Sequence, residues 1–129
     1  MGWGVSAGDY RDLLAWQRAM DLVEGVYRAT TGWPRDEVHG LINQVRRAAV
    51  SIPANIAEGH GSLNQREFLR YLAIAHGSCR EVETHLLIAR RLDYPGQPAH
   101  DQLLTLTAEV GRLLLGLINH LRRTLQPRA

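Results

Sequence analysis

The chain alternates between long amphipathic segments and short breaks, and apolar residues recur every three or four positions within each segment. This spacing is typical of α-helices that bury one face, and no segment shows the alternation of a half-buried strand. The pattern predicts four helices over residues 12–31, 35–60, 64–92 and 99–125. The sequence therefore predicts an all-α, antiparallel up-down four-helix bundle, a single domain over 10–126 that follows a flexible N-terminus over 1–9.

The second predicted helix is apolar on two opposite sides. One side carries a stripe at heptad-like spacing, formed by Val38, Ile42, Val45, Ala49, Ile52 and Ile56. The other side is mostly small or apolar, and consists of Gly40, Asn43, Arg47, Val50, Ala54 and Ala57. A helix without a polar face is usually buried on both sides. We therefore expect the stripe to pack in the bundle and Val50, Ala54 and Ala57 to contact a second subunit.

The sequence also predicts a kink in the second helix and the core stripes of the first and third helices. Pro53 lies inside the second helix, where the stripe keeps its phase, so a kink is expected there and not a boundary. The first helix has a predicted core stripe of Leu13, Trp16, Met20, Val23, Tyr27 and Thr30, widened by Ala19, Leu22 and Val26. The third has the most regular stripe, formed by Phe68, Leu72, Ala75, Cys79, Val82, Leu86 and Ala89.

A family resemblance covers nearly the whole chain, from about residue 10 to residue 123. The residues that carry it are Asp12-Leu13, Trp16-Gln17, Pro34 with Glu37, the segment QVRRAAVSIPANIAEG at 44–59, Glu67-Phe68, and Ala75-His-Gly-Ser78 with Glu81 and Glu83. With these residues the chain resembles the 23S rRNA intervening-sequence protein family of small bacterial four-helix bundle proteins. Members of that family are similar to accessory proteins of diversity-generating retroelements, which form pentameric rings and bind nucleic acid. The resemblance thus implies a homo-oligomeric ring, a pentamer.

Four polar residues lie next to the stripes of the second and third helices. They are Asn55, Glu58, Ser78 and Glu81. Because the two helices are antiparallel and joined by a short turn, these residues are predicted to form a hydrogen-bonded seam that fixes the register of the pair. The alternative is that each faces water separately. The resemblance places the same residue types at these positions, which favours the seam.

The basic residues offer a candidate surface for nucleic acid. All 15 are arginines, against 13 acidic residues, for a net charge of +2. Arginine suits bidentate contacts to phosphate, although codon bias in a GC-rich genome also explains the lack of lysine. The candidates are Arg46, Arg47, Arg70, Arg90, Arg91, Arg122 and Arg123. The alternative is solvated faces and ion pairs between subunits, with Arg46 paired to a glutamate of the third helix. Since no aromatic residues are interleaved with them, contact to the backbone is favoured over base recognition.

The sequence argues against the usual chemistry of helical bundles. A di-iron site needs Glu-x-x-His motifs, and none occurs. Glu81 and His85 stand four positions apart, as in an ordinary helix-surface pair that would bind a single metal only weakly. Cys79 lies on a core stripe, where a thiol behaves as a small apolar group. We therefore expect no enzyme activity, no cofactor and no metal site.

The remaining expectations concern compartment and partners. A single cysteine and the lack of a secretion signal favour the cytoplasm, and no apolar stretch is long enough to span a membrane. We predict that the protein is a non-enzymatic homo-oligomer that binds RNA or DNA, and the resemblance links it to ribosomal RNA. The alternative is a structural or protein-interaction adaptor with no nucleic-acid role, favoured by the surplus of apolar surface and the nearly balanced charge.

Overall fold

The computed structural model describes residues 8–125 and folds them into four α-helices, with no strand in that range. The helices are α1 (Leu14–Thr30), α2 (Leu41–His60), α3 (Gln65–Arg91) and α4 (Gln97–Leu125), and short 3-10 helices at Tyr10–Asp12 and Arg35–His39 precede α1 and α2. Each helix packs on its neighbours in the chain, and α1 also packs on α4. The predicted four-helix bundle is therefore confirmed. The predicted flexible terminus lies outside the described residues, apart from Gly8 and Asp9.

The start of α2 differs from the prediction. Residues 35–39 form a 3-10 helix, and Gly40, with φ −112° and ψ −117°, separates it from α2. The Oε1 atom of Glu37 accepts a hydrogen bond from the backbone N–H of Leu41 at 3.1 Å, which caps the new helix. The change of helix type breaks the phase of the apolar stripe, so Val38 is 52% exposed instead of buried. Beyond this point α2 continues through Pro53 without a break.

The buried face of α1 follows the residues that widen the predicted stripe more closely than the stripe itself. Its buried positions are Ala15, Ala19, Leu22, Val26 and Thr30. Met20 and Tyr27, predicted to lie in the core, are each 43% exposed. On this side Leu103 of α4 packs against Gly25, where an added Cβ would lie 2.5 Å from Leu103 Cδ2. The side of α1 that carries Leu22 and Val26 thus faces its neighbours, and Met20 and Tyr27 are left partly outside.

The third helix is buried as predicted, and every residue of its stripe is in the core. Its most extensive contact is with α2. Gly59 makes this approach possible, because an added Cβ there would lie 2.6 Å from Tyr71 Cβ and 2.9 Å from Phe68 Cδ1. The fourth helix completes the core with His100, Leu103, Thr107, Val110, Leu114, Ile118 and Leu121.

The bundle has two unlike ends. The single-loop end carries the α2–α3 turn and the C-terminus of α4, whereas the double-loop end carries the α1–α2 and α3–α4 connections. At the double-loop end, Trp33 Nε1 donates to Nε2 of the fully buried His100 at 3.0 Å, and Trp33 packs on Tyr94. The Tyr94 hydroxyl donates to Glu37, so the two connections are tied together. Burial lowers the pKa of His100, which favours the neutral ring that accepts this hydrogen bond.

Candidate nucleic-acid interface

The predicted arginine cluster is divided between the two ends of the bundle. Arg90 and Arg91 lie at the C-terminus of α3, at the double-loop end, and Arg122 and Arg123 lie in the last turn of α4, at the single-loop end. Arg90 pairs with Asp101 near the start of α4 at 2.7 Å. Arg122 follows that aspartate by about six helical turns, so the two ends are roughly 30 Å apart. These arginines cannot form one compact site in a single chain.

Arg46 is half-buried and bound within its own chain. Its Nε donates to Thr30 Oγ1 at 2.9 Å, its Nη2 donates to the Tyr27 carbonyl at 3.2 Å, and its guanidinium lies 4.5 Å from the centroid of the Tyr27 ring. The prediction that Arg46 pairs with a glutamate of α3 is therefore wrong. The side chain leans toward α1, where it satisfies a carbonyl that the end of that helix leaves open. Its Nε and Nη2 donors are therefore used within the chain.

The remaining predicted arginines divide into paired and unpaired groups. Arg70 pairs with Glu67 at 3.1 Å and stacks on Tyr71, and Arg90 pairs with Asp101. Four of the predicted arginines are exposed and have no hydrogen-bond or ion-pair partner within residues 8–125: Arg47, Arg91, Arg122 and Arg123. Three further arginines that were not among the predicted contacts, Arg35, Arg66 and Arg112, are in the same condition. Unpaired guanidiniums are the groups most ready to take a phosphate, because no carboxylate has to be displaced first.

A polar seam does join α2 to α3, but it is formed by a different set of residues from the predicted one. Ser51 Oγ lies 2.9 Å from Ser78 Oγ, and Asn55 Nδ2 donates to Ser51 Oγ at 2.9 Å and to the Ser51 carbonyl at 2.7 Å. Ser51, which sequence reasoning missed, is thus the centre of the seam. It stands four residues before Asn55, on the same helix face, and this spacing was the available signal.

The two predicted acidic members do not join the seam. Glu58 is exposed, with no side-chain hydrogen bond or ion pair to any described residue. Glu81 Oε2 lies 3.8 Å from Nε2 of His85, one turn along the same helix. His85 is buried, and neither ring nitrogen has a hydrogen bond to another described residue, so the pair is not the surface pair that the spacing suggested. The seam consists of neutral groups.

Outside the seam lies an open groove between α2 and α3. Its volume is about 400 Å³, and it is lined by Asn43, Gln44, Arg47, Ala48, Ser51, Ser78 and Glu81. Arg47 is its one arginine, and Glu81 supplies a negative charge on the opposite wall. The predicted interface residues continue along α2 from this groove: Val50 is 41% exposed, Ala54 is exposed, and Ala57 is partly covered. They face outward from the bundle, as a contact with another chain requires.

A second opening lies between α3 and α4. It has a volume of about 190 Å³ and contains Arg80, Arg112 and His76, with Cys79 beside them. Burial raises the pKa of the Cys79 thiol to about 12, so the sulfur stays protonated and is a poor nucleophile at neutral pH. No group of three or more His, Cys, Asp or Glu residues within 8–125 is arranged to hold a metal ion. None of the helices in this range is long and apolar enough to cross a membrane.

The sequence profile of the 23S rRNA-intervening sequence protein family matches residues 11–116, which is most of the chain. The chain belongs to this family. The fold is similar to that of a solved structure from Bacteroides thetaiotaomicron VPI-5482, a protein of unknown function from the S23 ribosomal protein family. The two share 20% sequence identity with a TM-score of 0.73, over 81% of this chain and 98% of the other. At 20% sequence identity, this similarity shows that the two proteins share a fold. No curated protein matches the chain.

Proposed function

We propose that this protein is a non-enzymatic, cytoplasmic homo-oligomer that binds the phosphate backbone of RNA or DNA through exposed arginines. The observation that carries the proposal is an imbalance of free charge on α3 and α4. The arginines without a partner on these helices, among the described residues, are Arg66, Arg91, Arg112, Arg122 and Arg123. Every carboxylate on them is paired with an arginine except Glu81, which faces the α2 groove beside His85.

The small net charge does not argue against this function. Although the whole chain carries only +2, four of the five carboxylates on α3 and α4 are paired with arginines, so unpaired positive charge is concentrated on these two helices. In a ring, the same surface would be repeated on each subunit, so that weak contacts add up along one polyanion. The family description, which refers to an intervening sequence of 23S rRNA, favours RNA as the nucleic acid.

Binding to nucleic acid is tested by titrating the protein into a fluorescently labelled mixed RNA pool at several salt concentrations. We expect binding at low salt that weakens steeply as salt increases. For about five phosphate contacts, a plot of log affinity against log salt should have a slope of about −3 to −5. Undetectable binding at low salt, or an affinity that does not change with salt, would overturn the proposal.

The oligomer is tested separately by light scattering, with five subunits expected from the family resemblance. Val50→Glu places a charge on the outward face of α2 and should reduce the mass while the helical content measured by circular dichroism is unchanged. Val38→Glu is a matched control, because Val38 is also exposed but lies in the 3-10 helix before α2. A Val50→Glu protein with the mass of the wild type would contradict the interface, and a monomeric wild type would contradict the ring.

A second candidate function is a protein-binding adaptor. The observation that favours it is an apolar groove on the outer side of α1, of about 380 Å³, lined by Met20, Val23 and Tyr27 together with Asp21 and Glu24. Exposed apolar side chains grouped on one helix are typical of surfaces that contact another protein. If the RNA titration shows no binding while Met20→Ser disrupts a stable protein complex, the adaptor becomes the better account.

A further inference from the structure

The small opening between α3 and α4 brings two arginines and a histidine together on a largely apolar wall. Its lining residues are His76, Cys79, Arg80, Glu83, Thr107, Ala108, Gly111, Arg112 and Leu115. Arg112 has no partner among the described residues, so its guanidinium is available. Arg80 pairs with Glu83 at 3.2 Å, but both side chains are substantially exposed, and such pairs contribute at most about 1 kcal/mol. A phosphate can therefore compete for Arg80.

No other carboxylate opposes an anion in this pocket. Glu109, the acidic residue of α4 nearest in sequence, is turned toward α1, where its Oε2 accepts from Arg18 Nε at 3.2 Å. Cys79 contributes no negative charge, since its thiol remains protonated at neutral pH. The pocket thus holds two guanidiniums and one imidazole against a single carboxylate that is already paired.

The size of the pocket limits what it can hold. Its volume of about 190 Å³ is below the range of roughly 300–1,000 Å³ that is usual for pockets enclosing a whole small molecule. A water molecule takes about 30 Å³ in the liquid, so the space suits one phosphate group with a few waters. Gly111 keeps the wall open, because a Cβ added there would meet no other atom within 4 Å. The pocket fits a single group of a larger ligand.

The pocket stands midway along a line of arginines. On α3, Arg91 follows Arg80 by about three turns, so the two side chains leave the same side of the helix about 16 Å apart. On the antiparallel α4, Arg123 follows Arg112 by the same interval. Since Arg80 and Arg112 meet at the pocket, the line runs from one end of the bundle to the other. We call Arg91, Arg80, Arg112 and Arg123 the arginine track.

We propose that the α3–α4 pocket is a phosphate-binding subsite at the centre of the arginine track, and that the track follows the backbone of a nucleic acid across this face. The inference rests on the proposed function and specifies where on the molecule the backbone lies. The track is about 30 Å long, a length over which one strand of a duplex presents roughly ten phosphates. Because guanidiniums that contact phosphates carry no direct sequence information, binding along the track is expected to be insensitive to base identity.

The test compares three variants with the wild type, using a labelled 12-nucleotide RNA, the same sequence as DNA, and the corresponding RNA duplex. Arg112→Gln removes a pocket guanidinium and should weaken binding about tenfold, with a salt slope shallower by about one. Gly111→Leu fills the pocket without changing any charge and should weaken binding to a similar degree. Arg35→Gln is the control: Arg35 is exposed and unpaired among the described residues but lies off the track, so affinity should stay within about twofold.

The outcomes separate the inference from the proposed function. If the wild type binds none of the three probes, the proposed function fails. If the wild type binds while Arg112→Gln and Gly111→Leu bind equally well, the function stands and the inference is overturned. If only Arg112→Gln weakens binding, the pocket is not a phosphate subsite. A change of oligomeric mass in either pocket variant would make this face a contact between copies, and that result also overturns the inference. Preference among the three probes shows whether the track takes a single strand or a duplex.

Discussion

On the α2 side of α3, glycine and serine bring two backbones close together, whereas on the α4 side arginines line an open pocket. The α2 side is joined by neutral hydrogen bonds between Ser51, Ser78 and Asn55, and Gly59 leaves no room for even a methyl group. On the α4 side, Gly111 faces open space and Arg112 has no partner within 8–125. One helix therefore has a side that holds the fold together and a side free to bind something else.

This difference explains why glycine has opposite effects at the two places. In a helix, glycine costs about 1 kcal/mol relative to alanine, because its backbone loses more freedom on folding. At Gly59 that cost is offset by close packing of α2 on α3. At Gly111 no intramolecular contact offsets it, so a binding role for the open pocket is a physical reason for a glycine there.

The largest expected effect is that of Gly59→Ala. The new Cβ would lie 2.6 Å from Tyr71 Cβ, a rigidly placed atom next to the α3 backbone, so the two helices must move apart. Overpacking of this kind typically costs about 1–3 kcal/mol, and we expect the free energy of unfolding in urea to fall by that amount. Protein concentration must be held constant, since assembly contributes to stability. An unchanged or increased stability would show that α2 and α3 are not in such close contact.

A smaller loss is expected from Ser78→Ala, which removes the hydrogen bond to Ser51. Ser51 keeps its contact with Asn55, so only one neutral hydrogen bond is lost, at a cost of about 1 kcal/mol. Thr84→Ala is the control on the same helix: it removes an exposed hydroxyl that bonds only to the carbonyl of Arg80, and should change stability by less than about 0.5 kcal/mol. Equal effects of the two substitutions would mean that the seam does not stabilise the α2–α3 pair.

The α3 stripe and the α1 stripe show how far periodicity alone determines a core. On α3 only one row of positions is consistently apolar, and that row is buried. On α1 two adjacent rows are apolar, one with large residues such as Met20 and Tyr27 and one with Ala15 and Ala19. The buried row is the one with the alanines, which also carries Leu22 and Val26, and Leu103 of α4 packs against Gly25 beside it. Which of the two rows is buried depends on how α1 packs against the other helices. The spacing of apolar residues along α1 alone does not give this information.

The candidate site was less predictable than the fold for a related reason. Whether an arginine is free depends on which carboxylate or carbonyl of another helix comes within reach. Arg46 is held by Thr30 and Tyr27 of α1, and Arg90 by Asp101 of α4, and both contacts follow from the packing of separate segments. Arg112 was overlooked because its importance comes from Arg80 on the other side of the α3–α4 pocket. Only the packing of α3 on α4 brings these two arginines together.

The smallest expected effect, and the one opposite in sign, is that of Gly111→Ala. Since a Cβ at Gly111 meets no atom within 4 Å, the substitution should add helix propensity without strain and raise the free energy of unfolding by up to about 1 kcal/mol. The same chemical change would then destabilise the protein on the α2 side of α3 and stabilise it on the α4 side. A loss of stability from Gly111→Ala would mean that the α4 side is as closely packed as the α2 side, and the contrast between the two sides would fail. A gain measured by the same urea titration would identify the open pocket as a place where the protein forgoes stability, as binding sites commonly do.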